Sequence, residues 1–192
     1  MDLSIACALY FASRGSGKAS INDNVPATDY TTDARVLLSG LGADELFGGY
    51  TRHTTAFSRR GFQGLIEELD LDVARLGKRN LGRDDRVISN WGREARFPYL
   101  DEDVVRWSLA SPVWDKCGFG GSEETLNAGE PALEPEKKVL RLLAWKLGMH
   151  SVSQEKKRAV RRSVVHICPH YPTNVFTDPI WSTDRKDGDG TK

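Results

Sequence analysis

Cysteine is scarce in this chain: Cys7, Cys117 and Cys168 are all it has in 192 residues. An odd number this small argues against a disulfide framework and for a reducing compartment. Net charge is lacking as well, with 27 lysines and arginines set against 27 aspartates and glutamates. No long-range field of one sign is available to draw in nucleic acid or an anionic membrane. Long apolar runs are also missing, and nothing approaches the roughly 20 residues that span a bilayer. Leu3 to Ala12 has the length of a signal-peptide core, but Asp2 stands where such peptides carry a basic start. These absences point to a cytoplasmic protein with neither nucleic acid nor membrane as a partner. A content of 39% hydrophobic and 28% charged residues suits one soluble globular domain with a modest core.

The informative stretch is Arg35 to Tyr50, RVLLSGLGADELFGGY. Val36, Leu37 and Leu38 form a short apolar run without polar alternation, the pattern of a strand buried on both faces of a parallel sheet. Ser39, Gly40 and Gly42 break it, and glycines there let backbone N–H groups approach a ligand. Asp44 and Glu45 fall in the first turn of a following helix, where carboxylates suit the positive end of the dipole. Two readings stand side by side. The acidic pair could simply cap the helix, contributing roughly 0.5–2 kcal/mol. Alternatively, the loop lies at the carboxyl edge of the sheet, where α/β proteins bind ligands. Asp44 would then hold a Mg²⁺ that bridges phosphates.

The remainder reads as mostly helical. Leu3 to Ala12 predicts an apolar helix closed by Gly15 and packed on the sheet. Ser13 to Ser20 imitates a phosphate-binding loop but has Ala12 and Ala19 at two required positions, so it reads as a linker leading into a polar loop through Asp33. Thr51 to Arg60 suggests a solvated turn or short helix, with His53 at the surface. Leu65, Ile66, Leu69, Val73 and Leu76 line one face of a helix ended by Gly77. Arg86, Arg93, Glu94 and Arg96 make a charge-rich segment in which Glu94 pairs with a nearby arginine. Pro98 forces Phe97 out of helical geometry, and Asp101 caps a helix running through Leu109. Residues 117–135 read as an exposed insertion. A last helix follows from Pro135 to Gly148, with Val139, Leu140, Leu143, Ala144 and Leu147 on its buried face.

The segment Ser39 to Tyr50 resembles the S-G-E-G-A-D-E-L-F-G-G-Y signature of the synthetase domain of glutamine-dependent asparagine synthetases. Asp85-Arg86 with Glu94 to Asp101 resembles that family's D-R and E-x-R-x-P-F-L-D, and Lys157-Arg158-Ala159 its K-R-A. Leu41 and Asn80 to Arg86 are most similar to the branch called asparagine synthetase domain-containing proteins. The resemblance implies an α/β, adenine-nucleotide-hydrolase-like (Rossmann-like) domain, mostly helical and with few parallel strands because the N-terminal ones are missing. It further implies ATP-dependent amidation of aspartate with ammonia derived from glutamine, supplied by a glutaminase domain or chain. Carried over residue by residue, Ser39, Gly40 and Gly42 would contact nucleotide and Asp44 would bind Mg²⁺ and pyrophosphate. Lys157 would neutralise the phosphates, Arg96 would face substrate, and Tyr50 would serve packing.

Three departures pull toward a second reading, a non-catalytic remnant or interaction domain. Position 41 is Leu where the synthetases carry a Glu used in forming the adenylate. The family's S-G-G-x-D-S phosphate loop does not occur, and neither does the glutaminase domain with its cysteine nucleophile. Residues 1–159 therefore read as a truncated asparagine synthetase-like domain. Residues 160–192 depart from the family pattern, are hydrophilic enough toward their end to be disordered, and read as an alternative or misread ending. In that tail the basic run Lys156 to Arg162 is expected to be solvated surface. His166, Cys168 and His170 alternate in a way that fits no zinc-finger spacing.

Overall fold

A computed structural model describes residues 3–20, 26–121 and 133–157. The tail at 160–192, with its basic run beyond Lys157 and its His-Cys-His alternation, lies outside the described residues, as does most of the insertion at 117–135. Among the described residues the fold is mostly helical with four short strands in two small sheets, α/β in class.

The N-terminal helix α1 (Leu3–Ser13) buries Ala6 and Ala8. Its companion is another helix, α4 (Gly82–Ser89). The contact is sealed where the Trp91 indole N–H donates to the Tyr10 carbonyl at 2.8 Å. The linker expected at 13–20 and the loop expected through Asp33 are instead an antiparallel pair, β1 (Ser16–Ala19) with β2 (Thr28–Thr31). Every residue of that pair is exposed, so no apolar alternation was available to announce it. Arg93 supplies the fastening: its guanidinium donates to the carbonyls of Thr32, Arg14 and Ala34.

Strand β3 (Val36–Leu38) pairs in parallel with β4 (Glu94–Arg96), Leu37 opposite Ala95. It is not buried on both faces. Val36 is 50% and Leu38 77% exposed, because this sheet has only two strands and the described residues leave its outer faces uncovered. After the glycine loop, α2 (Ala43–Phe47) is driven into the molecule by Leu46 and Phe47, both nearly inaccessible. Burial of two such side chains is worth about 1.5–3 kcal/mol each.

Helix α3 (Thr51–Leu76) is two helices joined at Gly61, whose φ of 61° and ψ of −152° break the ladder. Its second half contributes Leu65 and Leu69 to a core with Val113, Cys117 and Phe119, packed over by Phe57 and Phe62. A π-helical turn, Gly77–Leu81, leads into α4. A 3₁₀ turn, Pro98–Leu100, comes before α5 (Glu102–Ala110), and Asp101 caps α5 by accepting the Asp103 N–H at 3.0 Å. Two short helices, α6 (Val113–Lys116) and α8 (His150–Gln154), frame α7 (Lys138–Lys146). The stripe expected to be buried on α7 is only partly so: Val139, Leu140 and Ala144 are half-buried, Leu143 is 54% and Leu147 65% exposed, and Arg141 is the buried residue. Among the described residues no helix is long and apolar enough to cross a membrane.

Candidate functional site

The loop between β3 and α2 is shaped by one left-handed glycine. Gly42 has φ 100°, and a Cβ there would fall 2.5 Å from Leu100 Cδ2. The bend is locked from inside by Glu45, a buried carboxylate. Its Oε2 accepts the Gly42 N–H at 3.2 Å, and its Oε1 accepts from the Tyr50 hydroxyl at 2.7 Å and from Asn80 Nδ2 at 3.0 Å. The Leu41 N–H turns back to Ser39 Oγ at 3.3 Å, and the Ser39 N–H continues the sheet by donating to the Arg96 carbonyl at 2.8 Å. Gly40 is exposed, and a Cβ there would meet nothing within 4 Å. Of the three residues expected to contact nucleotide, Gly40 presents open backbone, Gly42 makes the turn, and Ser39 braces it.

Asp44 emerges from this turn on the outer side. Its Oδ2 is 2.8 Å from Lys157 Nζ and its Oδ1 is 2.9 Å from Lys137 Nζ. The Oδ1 contact is an ion pair without hydrogen-bond geometry, which leaves that buried oxygen without a donor. All three side chains are about one-quarter exposed. Gly49 makes room for the carboxylate, because a Cβ at 49 would lie 1.9 Å from Asp44 Oδ1. Asp44 and Lys157 are thus brought together across 113 positions of sequence.

Lys137 is the residue that sequence reasoning missed. It is the one non-glycine with positive φ among the described residues, at φ 56° and ψ 35°. Its N–H donates to the Phe47 carbonyl at 3.0 Å, which ties it to the end of α2. Buried Arg141 holds the other side, donating to the carbonyls of Glu136, Ser153 and Glu155 at 2.8–2.9 Å. One guanidinium therefore fixes both the segment carrying Lys137 and the segment leading to Lys157. The only available signal was a lysine doublet ahead of an amphipathic run, and such doublets usually mark a solvated face.

Tyr50 does more than pack. Lys157 Nζ lies 4.0 Å and Arg52 Cζ 3.9 Å from its ring centroid, within cation–π range. Burial, reinforced by the Glu45 carboxylate, pushes its phenol far above the ordinary tyrosine range, so the hydroxyl remains a donor to Glu45. Arg96 stands apart from this cluster, exposed and paired with Glu94 at 2.8 Å. That is the ion pair expected for Glu94.

His53 is fully buried, not at the surface. Its Nδ1 accepts the Tyr50 N–H at 3.2 Å, so the ring proton sits on Nε2 and is donated to Asp72 Oδ2 at 2.9 Å. Burial holds its pKa below the ordinary 6.5, outweighing the hydrogen bond and charge of Asp72; Arg52 lowers it further and Glu68 opposes. Because the folded pKa is the lower one, the unfolded chain binds more protons as pH falls. The stability contributed by the neutral ring is complete above pH 6.5 and is lost as pH drops through the folded value. Urea midpoints measured between about pH 5 and 8 should fall on acidification, and His53→Gln should flatten that slope. A midpoint that climbs on acidification would mean that an imidazolium pairs with Asp72.

Among the described residues no group of three or more His, Cys, Asp and Glu is placed to hold a metal ion. Among the buried side-chain oxygens of the described residues, Asp44 Oδ1 is short of a donor. That donor set suits Mg²⁺ only when phosphate oxygens and water complete its shell.

A sequence profile of the asparagine synthase family matches residues 27–67 and 60–169. The chain belongs to the asparagine synthase family. Asparagine synthetase domain-containing protein 1 of Bos taurus is 45% identical over 161 residues, covering 84% of this chain and 23% of that protein. The protein of the same name in Homo sapiens is 43% identical over the same length and shares. A Methanocaldococcus jannaschii protein provisionally named as a glutamine-hydrolysing asparagine synthetase is 51% identical over 79 residues, covering 41% of this chain and 15% of that one. The chain thus spans about a quarter of the length of these two domain-containing proteins.

Proposed function

We propose that this chain carries the phosphate-facing part of an adenylate-forming site. In the complete reaction ATP activates the side-chain carboxyl of aspartate, and ammonia released from glutamine by a glutaminase domain or chain displaces AMP to give asparagine in the cytoplasm. Every step handles negative charge, so such a site needs fixed cations and a metal at the phosphates. The observation that carries the reading is Asp44 held between Lys137 and Lys157 in the first turn of the helix that follows a parallel strand and its glycine loop. In this reading β3, its glycine loop and α2 belong to a doubly wound, adenine-nucleotide-hydrolase-like sheet, whose ligands bind beyond the strand ends.

The roles follow from position. Asp44 would hold Mg²⁺, whose chemistry is to neutralise and orient the phosphates. Lys137 and Lys157 would turn from Asp44 toward pyrophosphate, and Tyr50 would keep Lys157 in reach through its ring face. The Gly40 backbone and Ser39 would border the nucleotide, with Gly42 holding the bend. Arg96 would take an aspartate carboxylate by sharing its fork with Glu94. The strained backbone of Lys137 supports the same reading, since such conformations persist where the surroundings over-determine them and cluster at ligand sites.

Leu41 favours a second reading for the chain alone, binding without turnover. A leucine accepts no proton and binds no metal, and its N–H is engaged with Ser39. Calorimetry with ATP and Mg²⁺ tests the site: binding should be measurable for this chain and at least tenfold weaker for Asp44→Ala. Equal, negligible heats for both would leave the site without support. Pyrophosphate release with aspartate and ATP separates the readings, since release no greater than in a heat-killed control selects binding only.

A further inference from the structure

A cleft bordered by Glu45 and Leu46 of α2 opens between the later turns of α3 and the α5–α6 corner, with a volume of about 330 Å³. Its walls are largely apolar, including Leu69, Val73, Leu109 and Trp114. Two charges of opposite sign are set among them. Lys116 is buried, with 7% of its surface exposed. Its ammonium donates to the Ser108 carbonyl at 2.7 Å and reaches the Ser108 hydroxyl at 3.4 Å, and no carboxylate of a described residue lies in ion-pair range. Among the described residues the charge therefore has no counter-ion, and it sits in a poorly solvated place, where an unpaired charge is costly. Burial accordingly pulls the Lys116 pKa down, while Cys117 and Asp70 oppose that pull.

Asp70 stands on the exposed rim of the same cleft, and its carboxylate makes no ion pair with a described residue. Glu45 closes the inner end, but its two oxygens are already engaged by Gly42, Tyr50 and Asn80. Among the described residues the free charges lining the cleft are thus one buried cation and one rim anion. We propose that this cleft binds an apolar α-amino acid, with its carboxylate on Lys116, its ammonium toward Asp70 and its side chain against Leu69, Val73 and Trp114. A zwitterion matches both ends at once; a simple acid would leave Asp70 unmatched, and a simple amine would leave Lys116 bare. The site does not include Asp44 and is independent of the nucleotide reading there.

L-Leucine is the probe, titrated into the purified chain by calorimetry at millimolar concentration. 4-Methylpentanoate lacks its ammonium and 3-methylbutylamine lacks its carboxylate. Leucine should bind, with each single-charge analogue at least tenfold weaker. Asp70→Asn, on the surface and safe for folding, should weaken leucine about tenfold and leave 4-methylpentanoate unchanged, a difference of about 1.4 kcal/mol. Lys116→Met should abolish binding while still melting cooperatively. If that variant does not fold, Val73→Trp, which narrows the cleft from its apolar wall and leaves Lys116 in place, should abolish it instead. The proposal is overturned if leucine gives no heat, if 4-methylpentanoate binds as tightly as leucine, or if Asp70→Asn binds leucine unchanged.

Discussion

Replacing Gly42 with alanine should lower the melting temperature by about 10 °C, whereas Gly40→Ala, two residues away, should leave it within a degree or two. At 42 the backbone is left-handed, with φ 100°, and the new methyl would collide with Leu100 Cδ2 at 2.5 Å and crowd Tyr99 Cβ at 3.1 Å. Left-handed strain in a non-glycine costs about 1–3 kcal/mol, and overpacking adds about 1–3 kcal/mol. A sum of about 3 kcal/mol corresponds to that shift for a chain of this size. Relief is blocked on both sides, because Glu45 grips the Gly42 N–H and the 3₁₀ turn carrying Leu100 is tied to the α5 cap. At 40 there is no positive φ and nothing within 4 Å. Gly40→Ala therefore isolates function: if nucleotide backbone contacts lie there, ATP affinity should drop while the melt is unchanged. Thermal unfolding followed by circular dichroism reads the first pair of outcomes. Equal melting temperatures for the two variants would contradict this account of the loop.

The strand, loop and helix start at 35–50 were legible because several local signals agree there. An unbroken apolar triplet, two glycine breaks and an acidic first turn all point the same way, and consistency across levels is what makes a segment readable. The Asp101 cap was legible for the same reason. The β1–β2 pair was not, since residues 16–19 and 28–31 are wholly exposed and an exposed ribbon carries no binary pattern. His53 was misjudged by type, and Arg141 drew no reading at all. Both are polar and both are buried, each made tolerable by partners distant in sequence: Asp72 for His53, and carbonyls as far as Glu155 for Arg141. Long-range satisfaction of that kind leaves no trace in a local window. The apolar faces of α7 and β3 erred in the opposite direction. Their apolar patterns promised burial, and the described residues cover them only in part, leaving Val36, Leu38, Leu143 and Leu147 exposed. In a chain that spans about a quarter of its relatives' length, an apolar face can be specified by contacts that lie outside the segment bearing it.

The Asp44 cluster shows why its third member escaped notice and how to test it. Lys137→Gly should reduce affinity for Mg²⁺–pyrophosphate about tenfold or more, since a hydrogen bond to a charged group is worth about 1.5–3 kcal/mol, yet leave stability unchanged or slightly raised. Glycine occupies φ 56° freely, so the substitution relieves the backbone while deleting the ammonium. A residue kept only for structure would behave the other way, with no effect on ligand. Lys157→Met should weaken the same ligand by a similar factor without the stability gain, since no left-handed strain is recorded at 157. Removing both leaves the Asp44 carboxylate, already short of a donor at Oδ1, with neither counter-charge. The double variant should therefore bind pyrophosphate more weakly than either single one and lose most of the salt dependence that paired cations impose. Calorimetry at two ionic strengths, with urea unfolding of each variant, separates these effects. Unaltered pyrophosphate affinity in Lys137→Gly would leave its left-handed backbone a matter of chain geometry alone, and the anion site would then rest on Lys157.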